Sequence, residues 1–496
     1  MINSVSNIDK QINFIGTLIS SGKIGEAEPL VRELLQKSSH NPAILHQMGC
    51  IKYFQGFYED AIHYLSSAIK YKKNNSDYYF WRALSYGRKN DNLRAIIDYR
   101  KSLSLNANNA SCIHNYAKAL GREGEWTAAL TQVERALKIR PQDQDILVTR
   151  GFIEFKLDQL DVSDQTFKEV METHPQNYEA MYFRGITNLK QKNFETGWKL
   201  FDHRWDCPSF LSKRYNFEKK EWNGSSEGET LLIWDEQGPG DQIMCSLFFK
   251  SPLSNFKKII ILCDPRLQRI FSRSFDENIS FLPSDTDIKK IKYNEHLSMF
   301  GLLKYYSKID QDPKASGVIL KVDQNETNKI KEKLKSTKKI CGISWFSNNN
   351  QSGKDRSYSL LNFIKSFGNS MHDYVYVNLQ YNSSIEEINQ VSRKLGVTIY
   401  NDKEIDLFND INGLLSLAGA CDFIVSIDNT TIHLAGAADI NTHVLLNRPW
   451  DWRWLDGINI WYSNVQCYYQ DEVVDRNSFL RKAITQICKK IIENPK

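Results

Sequence analysis

The 496-residue chain has no long apolar run. The longest unbroken aliphatic stretch is Ile259–Leu262, far short of the ~20 residues that cross a bilayer. The opening MINSVSNIDKQINF has no basic flank followed by an apolar core, so no secretory signal is expected. Nine cysteines are scattered, odd in number and without a CxxC pair. This argues against a disulfide framework and a zinc site, and a reducing cytoplasm is the expected location. A net charge of +5 is too weak to predict nucleic-acid binding, though it suits an anionic ligand held at one local site. With 25% charged and 41% hydrophobic residues, 25 Gly and 12 Pro, disorder and collagen are excluded as well. At ~150 residues per domain, two to four domains are expected.

What the chain does have is a period. Small residues recur every 34 positions at Ala27, Ala61, Ala95, Ala129, Ser163 and Gly197. A second column lies twelve residues earlier at Gly49, Ala83, Ala117, Gly151 and Gly185, broken by Ile15 in the first copy. Pro141 and Pro175 end two copies in phase. Two amphipathic helices per copy would cross where the columns meet, since only small side chains allow a close backbone approach. The pattern resembles the tetratricopeptide repeat (TPR), in about six copies, and implies a superhelix with a concave surface that takes a protein or peptide. Capping or dimerisation is the alternative use. The position expected to face the groove reads Asn13, Gln47, Trp81, Asn115, Thr149 and Phe183. There is no asparagine ladder, so mixed polar and aromatic contacts are expected there.

After Asp206 the period stops, and a polar stretch of Lys, Ser and Gly runs to Glu229. Short β-rich runs then alternate with helical patterns, the signature of parallel βαβ units. Strands are expected at Leu231–Trp234, Lys258–Cys263 and Ile279–Leu282 in one lobe. In a second lobe they are expected at Ile340–Trp345, Tyr374–Leu379, Val397–Tyr400, Phe423–Ile427 and Thr442–Leu446, with a closing helix over Asn477–Asn494. Six lysines in Lys329–Lys339 read as a solvated helix joining the lobes, or else as an anion patch. The chain thus divides into residues 1–206 (solenoid), 207–229 (linker), 230–328 (first lobe), 329–339 (connector) and 340–496 (second lobe). Ligands of doubly wound sheets bind beyond the carboxyl ends of the strands, so the chemistry is sought in those loops.

Four loops qualify. In Trp234–Ile243 (WDEQGPGDQI) a strand enters a helix through a Gly-rich turn. Gly238 and Gly240 match the first two glycines of a dinucleotide fingerprint, but Ile243 fills the third place. The glycines would admit a ligand to the backbone. Asp241 is either a catalytic carboxylate or a first-turn acid favouring the helix dipole, and Glu236 is a second candidate. In SIDNTTIHLAGA, Asp428 ends a strand and Asn429 and Thr430 cap a helix whose amides could hold a diphosphate. His433 there is either a ligand contact or a hydrogen-bonded core residue. The polar loop after Gly342-Ile343-Ser344-Trp345 carries Lys354 and Arg356, which either neutralise a diphosphate or lie exposed. No clear DxD follows a lobe strand, so a divalent ion is not demanded. The three tryptophans of Arg448–Trp454 (RPWDWRW) either stack on a sugar or base or plug one end of a lobe.

Together and in this order, EQGPGD, GISW with the downstream KDR, SIDNTTIHLAGA and PWDWRWL resemble bacterial TPR proteins with a heptosyltransferase-like (glycosyltransferase family 9) region of the GT-B fold. The resemblance spans essentially the whole chain. It implies an α plus α/β architecture: a TPR solenoid followed by a GT-B-like pair of Rossmann-type lobes. It further implies Asp241 as base and Asp428, Asn429, Thr430, Thr431 and His433 as the donor-diphosphate segment. Lys354 and Arg356 would contact the donor or acceptor, with Gly238, Gly240 and Trp345 completing the donor site. Asn429-Thr430 departs from the family's Ser/Thr-Gly, and the first lobe is short. The expected activity is inverting, metal-independent transfer of a sugar from a nucleotide-sugar substrate to a protein recruited by the TPR array, without a cofactor or nucleic acid. The alternatives are a surface-polysaccharide transferase with a lipid-linked acceptor and a non-catalytic scaffold. Oligomers could form through the repeats.

Overall fold

The computed structural model describes residues 2–208, 210–212, 214–249, 256–306, 318–348, 353–455, 459–471 and 474–493. The chain divides into two compact units, Met1–Ala180 and Met181–Lys496. The division falls earlier than the end of the 1–206 span read from the period.

The first unit is helical. Helices α1 (Ile2–Ser20), α2 (Ile24–Lys37), α3 (Pro42–Phe54), α4 (Tyr58–Tyr71), α5 (Ser76–Arg88), α6 (Asn92–Leu105), α7 (Ala110–Arg122), α8 (Trp126–Ile139), α9 (Gln144–Lys156) and α10 (Leu160–Thr173) follow one another. Within this series consecutive helices pack on one another, from α1 on α2 to α9 on α10. The small columns lie at these contacts, where Ala27, Ala61, Ala95, Ala129, Ser163, Ala83 and Ala117 are fully buried. A Cβ on Gly49 would fall 2.6 Å from Leu65 Cγ, and one on Gly151 would fall 2.8 Å from the Phe167 ring. Ser163 Oγ donates to the Gly151 carbonyl at 2.8 Å, joining the two columns directly. Two further columns keep the same spacing. Gly22, Gly56, Asn90, Gly124 and Asp158 turn the chain with positive φ, a conformation open to Gly and tolerated by Asn and Asp. Asn41, Asn75, Asn109 and Asp143 accept backbone N–H bonds as N-caps, which satisfies donors the helix leaves unpaired.

The second unit opens with the last helical pair, α11 (Tyr178–Lys190, within the unit from Met181) and α12 (Phe194–Phe201). Two parallel sheets follow. Strands β1 (Gly228–Trp234), β2 (Phe256–Cys263), β3 (Ile279–Pro283) and β4 (Glu295–Ser298) form one, ordered β3-β2-β1-β4. Strands β5 (Lys339–Ser344), β6 (Tyr374–Asn378), β7 (Ile399–Tyr400), β8 (Phe423–Ile427), β9 (Thr442–Leu446) and β10 (Val465–Tyr469) form the other, ordered β10-β9-β8-β5-β6-β7. The second sheet has the dinucleotide-fold order 3-2-1-4-5-6, and the first has its four-strand version. In each, the chain reverses direction across the sheet beside its first strand, between β1 and β4 and between β5 and β8. The helices among the strands are α13 (Pro239–Ser246), α14 (Gln268–Ser274), α15 (Gly301–Tyr306), α16 (Gln324–Leu334), α17 (Gly353–Arg356), α18 (Leu360–Lys365), α19 (Ile385–Leu395), α20 (Ile411–Gly419), α21 (Thr430–Ala437) and α22 (Arg476–Glu493).

The stretch 207–229 covers the first sheet. Tyr215 and Trp222 are buried, and Tyr215 packs with Leu232 and Trp234 on one face of that sheet. The Trp222 N–H donates to the His296 carbonyl at 2.8 Å, beside a parallel bridge between Glu221 and His296. Beneath this cover lies a cleft of about 790 Å³ walled by Trp205, Tyr215, Phe217, Trp222, Trp234 and Tyr305. The lysine run splits between α16 and β5. Lys329, Lys331, Lys333 and Lys335 are exposed while Thr327, Ile330 and Leu334 are buried, so the solvated reading applies. The closing helix α22 buries Leu480, Ile484, Ile487 and Ile491 on one face. No described helix is long and apolar enough to cross a membrane.

Candidate functional site

The two reversal points supply the site. β1 ends at Trp234 and leads through Asp235–Gly238 into α13, whereas β8 ends at Ile427 and leads through Asp428 and Asn429 into α21. These two helices pack against each other. A Cβ on Gly240 would lie 3.2 Å from His433 Cδ2 and 3.4 Å from Thr430 Cα. Gly240 was expected to make room for a ligand; here its bare face admits the neighbouring helix. Gly238 is the N-cap of α13 in extended backbone, and its N–H is accepted by Asp241 Oδ2 at 3.2 Å. The left-handed residue of this loop is Gln237, with φ 61°, a conformation that costs energy in a residue with a side chain.

Asp241 therefore performs the helix-capping duty, and its second oxygen faces the other sheet. Arg453 Nη2 lies 2.5 Å from Asp241 Oδ1 and 3.0 Å from Gln237 Oε1. Arg453 Nη1 lies 2.7 Å from Asp451 Oδ1. Asp451 Oδ2 is 3.4 Å from Arg356 Nη2, and Arg356 Nη1 is 2.8 Å from Asp428 Oδ2. An alternating chain, Asp241–Arg453–Asp451–Arg356–Asp428, thus runs from the carboxyl end of one sheet to that of the other. Burial works to lower the pKa of the Arg453 guanidinium, but Asp241 and Asp451 more than offset it and the net shift is upward. Burial likewise pushes Asp451 up, and Arg453 and Arg356 pull it down further, so it stays ionised. Opposite charges at this range each favour the partner's charged form.

Around the chain, Asn429 caps α21 by accepting the Thr431 N–H at 3.0 Å and donates to Ser344 Oγ at 2.7 Å. The Thr431 amide, expected to be open to a diphosphate, is therefore already capped. Among the described residues, Thr431 Oγ1 and Arg453 Nε are buried polar atoms without a hydrogen-bond partner. His433 is buried, stacks on Trp454 with centroids 5.6 Å apart, and has Nδ1 3.0 Å from the Tyr462 hydroxyl. Burial lowers its pKa. This matches the core-histidine alternative.

Two expected site residues sit elsewhere. Glu236 is sealed away from the chain: its oxygens accept from Arg204 Nε and Nη2 at 2.8 and 2.9 Å, and Oε1 also accepts the Phe300 N–H at 3.0 Å. Both side chains of this pair have no exposed surface, so Glu236 braces the first sheet and has no face left for a substrate. Trp345 is buried in the core of the second sheet with Tyr358 and Phe363, because the Gln380 amide oxygen accepts its N–H at 3.0 Å and turns the strand end inward. It is a packing residue. The side chain of Lys354 lies outside those the structure describes.

The sequence reading missed Asp451 and Arg453. They alternate with Trp450, Trp452 and Trp454, all buried. Trp452 packs on Trp198 and Phe201 and carries Arg453 4.8 Å from its ring centroid. The three tryptophans pack inside the unit, and Trp452 flanks the Arg453 guanidinium. The available signal was two opposite charges inside an aromatic run, where an unpaired charge would be intolerable. Among the described residues, no three His, Cys, Asp or Glu side chains are grouped to hold a metal ion.

Comparison with known proteins identifies the N-terminal part as a class: residues 46–110 match the tetratricopeptide repeat, and the N-terminal region is a TPR solenoid. As to particular proteins, protein FlbA of Caulobacter vibrioides is 22% identical over 407 residues, covering 76% of this chain and 67% of its own. Among solved structures, YrrB, described as a TPR protein with an unusual peptide-binding site, is 18% identical over 36% of this chain and 91% of its own, with a TM-score of 0.32. A tetratricopeptide repeat protein from Parabacteroides merdae is 16% identical over 40% of this chain and 77% of its own, with a TM-score of 0.35.

Proposed function

We propose that the chain is a glycosyltransferase of GT-B type that moves a sugar from a nucleotide-sugar donor to a protein presented by the TPR solenoid. The observation that carries this reading is the facing of Asp241, from the carboxyl end of the first sheet, against the first turn of α21, from that of the second. The two are tied through Arg453, Asp451 and Arg356. Two reversal points facing each other support a reading in which one ligand binds in the crevice between them.

In this reading Asp241 accepts the proton of an acceptor hydroxyl as its oxygen bonds to the sugar's anomeric carbon. The bond from that carbon to the diphosphate breaks on the opposite face, and its electron pair leaves with the diphosphate, inverting the centre. Arg356, Arg453 and the positive end of α21 stabilise the growing charge. The orphaned Thr431 hydroxyl and Arg453 Nε are donors that a phosphate oxygen would satisfy.

Thermal shift of the full chain against UDP-, GDP-, ADP- and CMP-sugars tests the reading. One of them should raise Tm, and Asp241→Asn should keep that binding while cutting turnover by about 10²–10⁴. If none stabilises the chain, the region is a non-catalytic scaffold. Unchanged turnover in the variant would remove Asp241 as base.

A further inference from the structure

The charges in this chain do not balance. Three carboxylates, Asp241, Asp451 and Asp428, share two guanidiniums, Arg453 and Arg356. Arg453 is the busiest member: its two terminal nitrogens serve Asp241, Asp451 and Gln237, and its Nε has no hydrogen-bond partner among the described residues. It also lies over the rings of Trp452 and Phe300, so the guanidinium is held flat between aromatic walls and carboxylates. Asp241 is the member with the weakest claim on it. Asp451 sits two residues away on the same loop and also takes the Arg453 N–H at 3.1 Å, which fixes that pair locally. Asp241 reaches Arg453 only because the two sheets are closed on each other. It retains an alternative role as the cap of Gly238.

We propose that Arg453 exchanges Asp241 for the diphosphate of the donor. This rests on the glycosyl-transfer reading above and adds a regulation to it. Without ligand, Arg453 occupies the oxygen of Asp241 that a base needs. A diphosphate brings two or more negative charges and competes for the same guanidinium, for which planar paired donors are well suited. Its arrival releases Asp241 Oδ1, while Asp451 and the aromatic walls keep Arg453 in place. The carboxylate becomes available as base only when a leaving group is bound, which guards against base chemistry at an empty site. Linkage makes the exchange reciprocal: removing the Asp241 side of the pair while leaving Arg453 intact must tighten diphosphate binding by the factor that breaking the pair had cost it.

That reciprocity gives a test on the full chain with UDP, GDP, ADP and inorganic pyrophosphate, read by calorimetric Kd and by Tm. Asp241→Asn should tighten binding of the diphosphate that the wild type takes, by about fivefold or more. Removing a nearby negative charge would also help an anion through space, so the decisive measurement is a cycle with Arg453→Lys. The lysine keeps the charge and cannot serve two oxygen partners in a plane. If the exchange operates, Asp241→Asn gives less than a twofold gain in the Arg453→Lys background, and Arg453→Lys alone weakens binding at least fivefold. An equal gain in both backgrounds overturns the exchange and leaves the glycosyl-transfer reading intact. Binding of the wild type to none of the four probes overturns both. Should Arg453→Lys fail to fold, Gln237→Ala replaces it. That variant leaves the pair itself in place, so it should tighten the diphosphate by less than twofold, and a gain matching Asp241→Asn would overturn the assignment to the ion pair.

Discussion

In the helical unit, Arg82 lies against Asp98 with both carboxylate oxygens at 2.7 and 2.8 Å and its remaining nitrogen 3.0 Å from Ser66. In the α/β unit, Arg453 divides itself between Asp241 and Asp451, which come from different sheets. The solenoid also holds Glu154 between Arg150 and Thr166, each at 2.7 Å. The charged groups of each pair come from a single helix hairpin, match one to one and leave no charge over. Such a pair closes a packing contact and asks for nothing more. The chain between the sheets has a surplus carboxylate and spans elements more than two hundred residues apart. Buried charge is costly unless fully matched, so the surplus carboxylate at two facing strand ends sets this chain apart from the solenoid's packing pairs.

The sharpest way to break this comparison is to remove one partner of a matched pair in each unit. Arg204→Met strands the fully buried Glu236 and should cost about 3–5 kcal/mol by urea unfolding. Arg82→Met strands Asp98, which keeps slight exposure and a position between two helices, and should cost about 1–3 kcal/mol. Equal losses would mean that the surroundings of the two pairs differ less than their burial says. The glycine positions sharpen the same contrast within the repeats. At Gly185 an added Cβ meets the Phe201 backbone N at 2.7 Å, which cannot move aside. At Gly151 it meets the Phe167 ring at 2.8 Å, which can turn. Gly185→Ala should therefore reach the upper part of the ~1–3 kcal/mol range for overpacking and Gly151→Ala the lower part.

Acid separates the units by a smaller margin. Burial, with Lys490 adding to it, lowers the His443 pKa from its usual 6.5 to about 4 in the second sheet. Burial, with Lys118 adding to it, does the same to His114 in the solenoid. A histidine with a lowered folded pKa is bound by more protons when unfolded, so its contribution is complete above pH 6.5 and is lost as pH falls toward 4. Glu28 in the solenoid adds a second window. Its hydrogen bond from Gln55, with Lys52 and Arg32 helping, outweighs burial and lowers it from 4.5 to about 2. That stability is present above pH 4.5 and disappears as pH falls toward 2. Between pH 7 and 5 His443→Gln should flatten the slope of stability in the α/β unit, whereas Glu28→Gln should change the slope only below pH 4.5.

The solenoid was legible because its packing repeats: one small residue per helix crossing fixes the phase, and the whole array follows. The turn and cap columns were equally present, at Gly22 to Asp158 and at Asn41 to Asp143, and they escape a search that looks only for small apolar positions. In the α/β unit the strands that read as apolar runs were found, while β10, Val-Gln-Cys-Tyr-Tyr, was missed, as was β4, Glu-His-Leu-Ser. It is buried because its polar groups find partners elsewhere: Glu295 with Lys220 and Ser226, and His296 Nε2 with the Lys219 carbonyl. Those partners lie in the stretch read as a linker, so neither segment makes sense without the other. Asp241, Asp428 and Arg356 could be placed because each follows a strand. Asp451 and Arg453 could not, since the tryptophans around them account for the segment without any chemistry.

The smallest test uses one residue type in two settings. Asn109 caps α7 by accepting the Cys112 N–H at 3.0 Å, and it lies far along the chain from the charges. Asn109→Ala should cost about 1 kcal/mol in unfolding and leave the proposed nucleotide binding untouched. Asn429 caps α21 in the same way, but its amide nitrogen also donates to Ser344 Oγ, which in turn lies 2.9 Å from Gln380 Oε1. One side chain thus fixes the first turn of α21 against β5 and its following loop. Asn429→Ala should cost about 2 kcal/mol, since it removes a cap and a second buried hydrogen bond together. It should also weaken the diphosphate binding proposed above by letting Thr431 drift from its place. A loss of stability without any loss of binding would mean that this turn shapes the fold and does not hold the ligand.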